Sequence, residues 1–278
     1  GLAQIGNFIY VANQDAVVRF DYTEGQTQAS GPPVTLTDLP KAINHHWTKA
    51  MTASADGRFL YVGIGSNSNI TERGMEAEED RAMIWQIDVE TGMHRQYATG
   101  LRNPTALTIQ PGAGQLWAVV NERDELGEDL VPDYLTSVQE GGFYGWPYSY
   151  WGSTVDDRVP QDKALVARAI TPDYALGGHT ASLGLCWMPA GTLPGFGEGM
   201  VIGQHGSWNR AKLSGYKLIF VPFANGAPSG PPRDILTGFL SGDEKVAYGR
   251  PVGVAIGPDR KSLLMADDVG DVIWRVTG

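Results

Sequence analysis

One unit recurs along this 278-residue chain and restricts its fold more than any other feature. A turn rich in Gly, Pro or Asp leads into a short apolar strand. A polar loop follows, and a second apolar strand closes the unit. The pattern appears as Phe8-Ile9-Tyr10-Val11-Ala12-Asn13 with Val17-Val18-Arg19-Phe20, and again as Phe59-Leu60-Tyr61-Val62 with Met83-Ile84-Trp85-Gln86-Ile87. Leu116-Trp117-Ala118-Val119-Val120 begins a third copy. Gly199-Met200-Val201-Ile202 with Lys217-Leu218-Ile219-Phe220-Val221 forms the fourth, and Leu263-Leu264-Met265 with Val272-Ile273-Trp274-Arg275-Val276 the last. Tyr10, Tyr61, Trp117, Val201 and Leu264 mark steps of 51, 56, 84 and 63 residues. Multi-stranded repeats of roughly 40–50 residues are the signature of propeller blades. A β-sandwich offers no reason for such a repeat. The wide third step leaves room for an insertion holding the polar loop from Asp124 to Trp151.

The expectation is one all-β propeller domain over residues 1–278 with five visible blades. The chain opens inside a repeat, at Gly1-Leu2-Ala3, so an N-terminal segment is expected to be missing. Thirty-six Gly, 17 Pro and 8 Trp suit a turn-rich protein of many short strands. Lys and Arg number 21 against 31 Asp and Glu, a net charge of −10, which argues against nucleic acid and anionic membrane as partners. No apolar run approaches the roughly 20 residues of a membrane helix. Cys186 stands alone, which excludes an internal disulfide framework and a cysteine-built zinc site. No amphipathic helix of ordinary length stands out. Glu72, Glu76, Glu78, Glu79 and Asp80 read as a solvated loop, and Glu128, Asp129 and Asp133 as solvated acids.

Three short stretches carry chemistry. Arg102-Asn103-Pro104 puts a guanidinium and a carboxamide at the start of a strand. Asn121-Glu122-Arg123-Asp124 is a dense polar loop at the end of the apolar strand Leu116–Val120. Gly142-Phe143-Tyr144-Gly145-Trp146-Pro147 must turn sharply. With Gly249-Arg250-Pro251-Val252-Gly253, their order and spacing resemble the soluble quinoprotein sugar dehydrogenases, the glucose and sorbosone dehydrogenase family that uses pyrroloquinoline quinone (PQQ).

That resemblance implies a six-bladed propeller whose first blade is absent from this chain. It implies oxidation of an aldose or related sugar aldehyde, with PQQ and calcium as cofactors and an external electron acceptor, in the periplasm or outside the cell. His46, nine residues before Ala55, falls where the family keeps its catalytic base, and a neutral imidazole suits that task. His45 points the other way if the segment is extended. Ser66 stands where the glucose enzymes place an aspartate that orients the base. Arg102, Asn103 and Arg250 match cofactor-binding positions. His205 lies where those enzymes keep a cationic lysine, with Arg210 as the alternative charge. Main-chain carbonyls of Asp124 and Glu125, or of Arg123 one residue earlier, correspond to the calcium ligands, and hard oxygens suit that ion.

Two other classes compete. A lactonase-type propeller hydrolase would surround a metal with carboxylates and amides, whereas Arg and His sit at these strand ends. A non-catalytic propeller would bind glycans or proteins through aromatic residues such as Tyr148, Tyr150 and Trp151.

Overall fold

The computed structural model describes residues 1–278 and is built almost wholly of antiparallel strands. It divides into two compact units, each described by itself. The first comprises Gly1–Leu116 and Ser137–Pro172, the second Trp117–Thr136 and Asp173–Gly278.

The first unit opens with a four-stranded sheet of β1 (Leu2–Ile5), β2 (Phe8–Ala12), β3 (Ala16–Asp21) and β4 (Ser30–Asp38), paired in chain order. A second sheet repeats that plan with β5 (Met51–Ala53), β6 (Phe59–Ile64), β7 (Met83–Asp88) and β8 (His94–Thr99), and β9 (Pro104–Ile109) follows. Leu60, Val62 and Ile64 of β6 and Ile87 of β7 are fully buried and share a core with Tyr10 and Val17 of the first sheet. Complete burial of such a side chain contributes ~1.5–3 kcal/mol. Gly63 interrupts this apolar run because a Cβ there would lie 2.6 Å from the Pro104 carbonyl.

The second unit takes β10 (Leu116–Val120) from Trp117 onward, β11 (Pro132–Ser137) to Thr136, and β14 (Tyr174–Gly178), in the order β14-β11-β10. Between β11 and β14 the chain passes through the first unit, forming the ribbon of β12 (Ser149–Tyr150) and β13 (Thr154–Val155) and the single-turn helix α1 (Lys163–Val166). Asp162 caps that turn by accepting the Ala164 and Leu165 amides at 3.0 Å. The second unit continues with β15 (Ser182–Met188), β16 (Gly199–Gln204), β17 (Lys217–Ala224), β18 (Ala227–Pro228) and β19 (Arg233–Leu236). The last sheet has three strands, β20 (Pro251–Ile256), β21 (Leu263–Asp267) and β22 (Val272–Val276).

The architecture is that of an all-β propeller with five blade-type sheets, and each strand pair read from the repeats is present. Two expectations need correction. The wide third step is not a plain loop insertion, because it contains β11, where Tyr134 and Leu135 are fully buried. The acidic run from Glu72 to Asp80 is only partly solvated. Met75–Glu78 form a 3-10 turn, and the buried Glu78 carboxylate accepts the Asn67 amide at 2.8 Å.

Leu60→Ala empties a fully buried site and should lower the free energy of unfolding by about 2–5 kcal/mol in urea titrations. Leu2→Ala removes a side chain that is 70% exposed and should stay within about 0.5 kcal/mol of the parent.

Candidate active site

In the first unit the connection from β4 to β5 carries His46. Ile43 and Asn44 adopt φ of 60° and 54°, so the segment is not extended. The expected opposition of His45 and His46 therefore fails, and their rings pack edge to face with centroids 4.9 Å apart. His45 is exposed and His46 half-buried.

The His46 ring has a defined tautomer. Its Nδ1 lies 2.7 Å from the Ser66 carbonyl and 3.1 Å from Ser66 Oγ. A carbonyl only accepts, so Nδ1 carries the proton and Nε2 keeps its lone pair. Ser66 Oγ donates to the Ser68 carbonyl at 2.6 Å. Burial, followed by the Arg102 guanidinium, holds the His46 pKa down to about 3, and the bond to Ser66 opposes this. The imidazole is neutral at physiological pH.

Two buried cations fix this loop. Arg81 donates to the Pro40 carbonyl at 2.8 Å, to the Ala42 and Gly65 carbonyls, and to Asn44 Oδ1 at 3.1 Å. Lys49 Nζ donates to Asn44 Oδ1 at 3.0 Å and to the Trp47 and His46 carbonyls at 3.1 and 3.4 Å.

Arg102 and Asn103 follow the same turn region. Arg102 is buried, donating through Nε to the Asn69 carbonyl and through Nη2 to Asn69 Oδ1, both at 3.1 Å. Its own carbonyl accepts the Ser66 amide at 2.8 Å. Trp146 Nε1 reaches the Asn69 carbonyl at 3.1 Å, so the Gly/aromatic/Pro corner also holds the residue that anchors Arg102. Gly65 lets the groups converge, since a Cβ there would lie 2.5 Å from His46 Cβ and press on Asn103 Oδ1. Asn103 Oδ1 is buried with no hydrogen-bond partner. An unpaired buried acceptor costs about 1–3 kcal/mol, so it marks a position where a ligand would be welcome.

In the second unit Asp133 organises the polar loop after β10. Its Oδ1 accepts the Glu122 amide at 2.9 Å. Its Oδ2 accepts the Ala181 amide at 2.9 Å, Thr180 Oγ1 at 3.0 Å and Asn121 Nδ2 at 3.3 Å. It is buried, not solvated as expected, and burial raises its pKa against the pull of those donors. Arg123 is buried and donates through Nε and Nη2 to the Asp124 carbonyl at 3.1 and 2.8 Å. The Asp124 carboxylate lies 3.0 Å from His179 Nδ1 and accepts Asn209 Nδ2 at 2.9 Å. Glu125 sits at a φ of 71°.

His205 and Arg250 meet in this unit. Asp268 Oδ2 accepts a hydrogen bond from His205 Nε2–H at 3.0 Å, so Nδ1 is left to accept Arg250 Nη1 at 3.1 Å. His205 is thus a neutral acceptor, and burial lowers its pKa despite Asp268. It does not supply the cationic charge of a lysine. Arg250 supplies it, with Nη2 on Tyr216 Oη at 2.9 Å and its guanidinium 4.9 Å above the Tyr216 ring. Arg210 donates to the Glu128, Gly178 and Lys212 carbonyls and to Asp129 Oδ1, so it staples loops together.

Nominated residues therefore gather as His46, Arg102 and Asn103 in one unit and as His205 with Arg250 in the other. Sequence reasoning missed Arg81, Asn69, Asp133, Tyr216 and Asp268. Their partners are main-chain atoms or residues distant in sequence, which leave no local signature. For an anionic quinone the fit is good within each unit: a buried or stacked guanidinium, and an unpaired carboxamide oxygen beside one of them. For calcium the fit is narrower. No cluster of three His, Cys, Asp or Glu side chains could hold a metal, and the Asp124 carbonyl already accepts two N–H bonds from Arg123.

Comparison with known proteins bears on this arrangement. A PQQ-dependent pyranose dehydrogenase of Coprinopsis cinerea is 24% identical over 338 aligned positions, covering 98% of this chain and 45% of that protein. The holo PQQ domain of pyranose dehydrogenase from Coprinopsis cinerea superposes with a TM-score of 0.83 at 22% identity, covering 98% of this chain and 80% of that one. The calcium structure of a Trichoderma reesei carbohydrate-active enzyme of family AA12 also gives 0.83, at 21% identity, covering 100% and 80%. The chain spans between 45% and 62% of the length of the curated relatives that match it. The family profile described as TrAA12-like matches residues 1–277 without leaving out either unit, and the chain belongs to that family.

Proposed function

We propose that the chain belongs to a PQQ-dependent sugar dehydrogenase that oxidises an aldose or related sugar aldehyde at C1. The observation that carries this reading is the His46 ring, neutral and fixed with Nε2 unprotonated, beside buried Arg102 and the unpaired Asn103 Oδ1. Sugar substrates and PQQ named for the relatives support it.

In this reading Nε2 of His46 accepts the proton of the C1 hydroxyl. The Nδ1–H bond to Ser66 holds the ring in place and maintains the tautomer that leaves Nε2 able to accept. In the first unit Arg102 and Asn103 are assigned to the cofactor, and in the second unit Arg250; each guanidinium would pair with a carboxylate. PQQ, when bound, would supply the two-electron acceptor for the C1 hydride, with an external acceptor to reoxidise it. Calcium would rest on main-chain oxygens of residues 123–125 and act as a Lewis acid. Six blades and a single domain belong to the same proposal. The last sheet has three strands, and its edge strand β22 exposes Val272, Ile273 and Trp274. A periplasmic or secreted location is also part of it. No helix is long and apolar enough to cross a membrane.

Titration with PQQ, with and without calcium, followed by aldoses and a redox dye, tests the reading. Calcium-dependent binding and dye reduction are expected; a folded protein that binds no PQQ overturns it. His46→Ala should keep cofactor affinity and lose about 10²–10⁴-fold in kcat, the usual worth of a general base.

The low pKa of His46 gives a second test. Burial and the Arg102 charge both disfavour imidazolium, so removing that charge in Arg102→Met should raise the His46 pKa from about 3, as followed by NMR. Because the folded pKa lies below that of the unfolded chain, His46 contributes stability that is complete above about pH 6.5 and is lost as pH falls towards 3. His46→Gln should flatten that part of the stability profile.

A further inference from the structure

Arg81 stands just before β7 in the first unit and is 4% exposed, with Asp80 and Ala82 on either side of it at φ of 58° and 52°. Residues with ordinary side chains rarely adopt that left-handed conformation, and they keep it only where their surroundings hold them. The guanidinium donates to four oxygens, and all four are neutral. Three belong to the segment ahead of His46: the Pro40 carbonyl at 2.8 Å, the Ala42 carbonyl at 3.3 Å and Asn44 Oδ1 at 3.1 Å. The fourth is the Gly65 carbonyl at 3.4 Å, just past the end of β6 and directly before Ser66.

The separation of those two segments sets the His46 ring. His46 Nδ1 is bound to the carbonyl and the hydroxyl of Ser66, so any slip between the loop and the Gly65-Ser66 turn breaks the bond that fixes the tautomer. The loop has little to hold it in place by itself. Ile43 and Asn44 are left-handed too, and Ile43 is β-branched and 55% exposed, so packing does little to offset its strain. Asn67 adds a parallel tie, accepting the His45 amide at 3.2 Å and donating to the Ala42 and Ala77 carbonyls at 3.3 and 2.7 Å. Arg81 differs from it in carrying a charge, which is a costly way merely to close a loop. Its four bonds include no carboxylate, and Glu78 offsets the charge only at a distance. That charge also opposes an imidazolium at His46. Burial comes first in holding the His46 pKa to about 3, then Arg102, and Arg81 adds a smaller effect in the same direction.

We propose that Arg81 is a positioning residue for His46: its guanidinium fork holds the loop that carries the base against the turn that carries Ser66, so that Nδ1 stays protonated and Nε2 stays able to accept. That this governs a sugar oxidation rests on the dehydrogenase reading; the effect on the ring does not.

Nitrogen NMR of the histidine rings in the full chain tests this. The parent should show His46 in one tautomer, protonated at Nδ1. Arg81→Gln should show both tautomers in exchange. Its His46 should also titrate at a higher pH than the parent's value of about 3, since a loosened loop exposes the ring and one opposing charge is gone. Arg81→Lys keeps the charge without the fork, so it should mix the tautomers as well, and it covers the case of a glutamine variant that fails to fold. Ile43→Gly relieves a left-handed β-branched residue and should return part of the tautomer preference in the Arg81→Gln background. In turnover of an aldose with PQQ, Arg81→Gln should lower kcat about 10–100-fold, the scale of a misplaced catalytic group, and leave PQQ affinity unchanged. A His46 ring that keeps its tautomer and its pKa in the folded Arg81 variants overturns the proposal, whatever their stability. Altered rings in a protein whose parent oxidises no sugar keep the positioning role and remove the dehydrogenase; unaltered rings in an active enzyme do the reverse.

Discussion

Polar groups buried at the ends of apolar strands must each find a partner, and that constraint shapes both units. Strands such as β6 and β16 are apolar almost to their last residue, and the loops that follow begin below the surface. Water does not satisfy the donors and acceptors there, so side chains do. Arg81 and Lys49 hold the carbonyls of the His46 loop. Asp133 gathers two amides, a hydroxyl and a carboxamide into one carboxylate. Among the buried side-chain atoms that break this rule, Asn103 Oδ1 in one unit and Asn209 Oδ1 in the other are the informative ones, since both lie beside the residues with the most chemistry.

The two half-buried histidines show how neighbours divide identical rings between tasks. His46 donates its Nδ1–H to a main-chain carbonyl and keeps Nε2 able to accept. His205 donates its Nε2–H to Asp268 and accepts Arg250 at Nδ1, so both of its nitrogens are engaged. Both rings are neutral, yet only the first retains an accepting nitrogen without a partner. The same comparison explains why Arg250 is the cation of its cluster: a guanidinium cannot give up its charge, whereas burial takes charge from an imidazole.

Strand positions were legible because short apolar runs survive in β2, β6, β16 and β21. β11 was hidden, since Pro132-Asp133-Tyr134-Leu135-Thr136-Ser137 reads as polar while its tyrosine and leucine are fully buried and its aspartate fills a bulge. Arg102, Asn103 and the Trp146 corner were legible from order alone. The direction of His45 was not, because it depends on two residues with positive φ that carry ordinary side chains, Ile43 and Asn44. Nor was the duty of Arg210, whose partners Glu128 and Asp129 lie some eighty residues earlier.

Ser66 is where local chemistry departs most from what a sugar-oxidising base is expected to have, and the departure has a consequence for charge. An aspartate at that position would stabilise an imidazolium by Coulomb attraction as well as orient the ring. Here orientation comes from a carbonyl dipole and a hydroxyl, and the nearest full charges that act on His46 are the positive ones of Arg102 and Arg81. Orientation and charge stabilisation, joined in a single acid elsewhere, are separated in this chain. The ring is oriented by neutral acceptors alone, so its affinity for a proton would follow whatever negative charge comes to rest against Arg102.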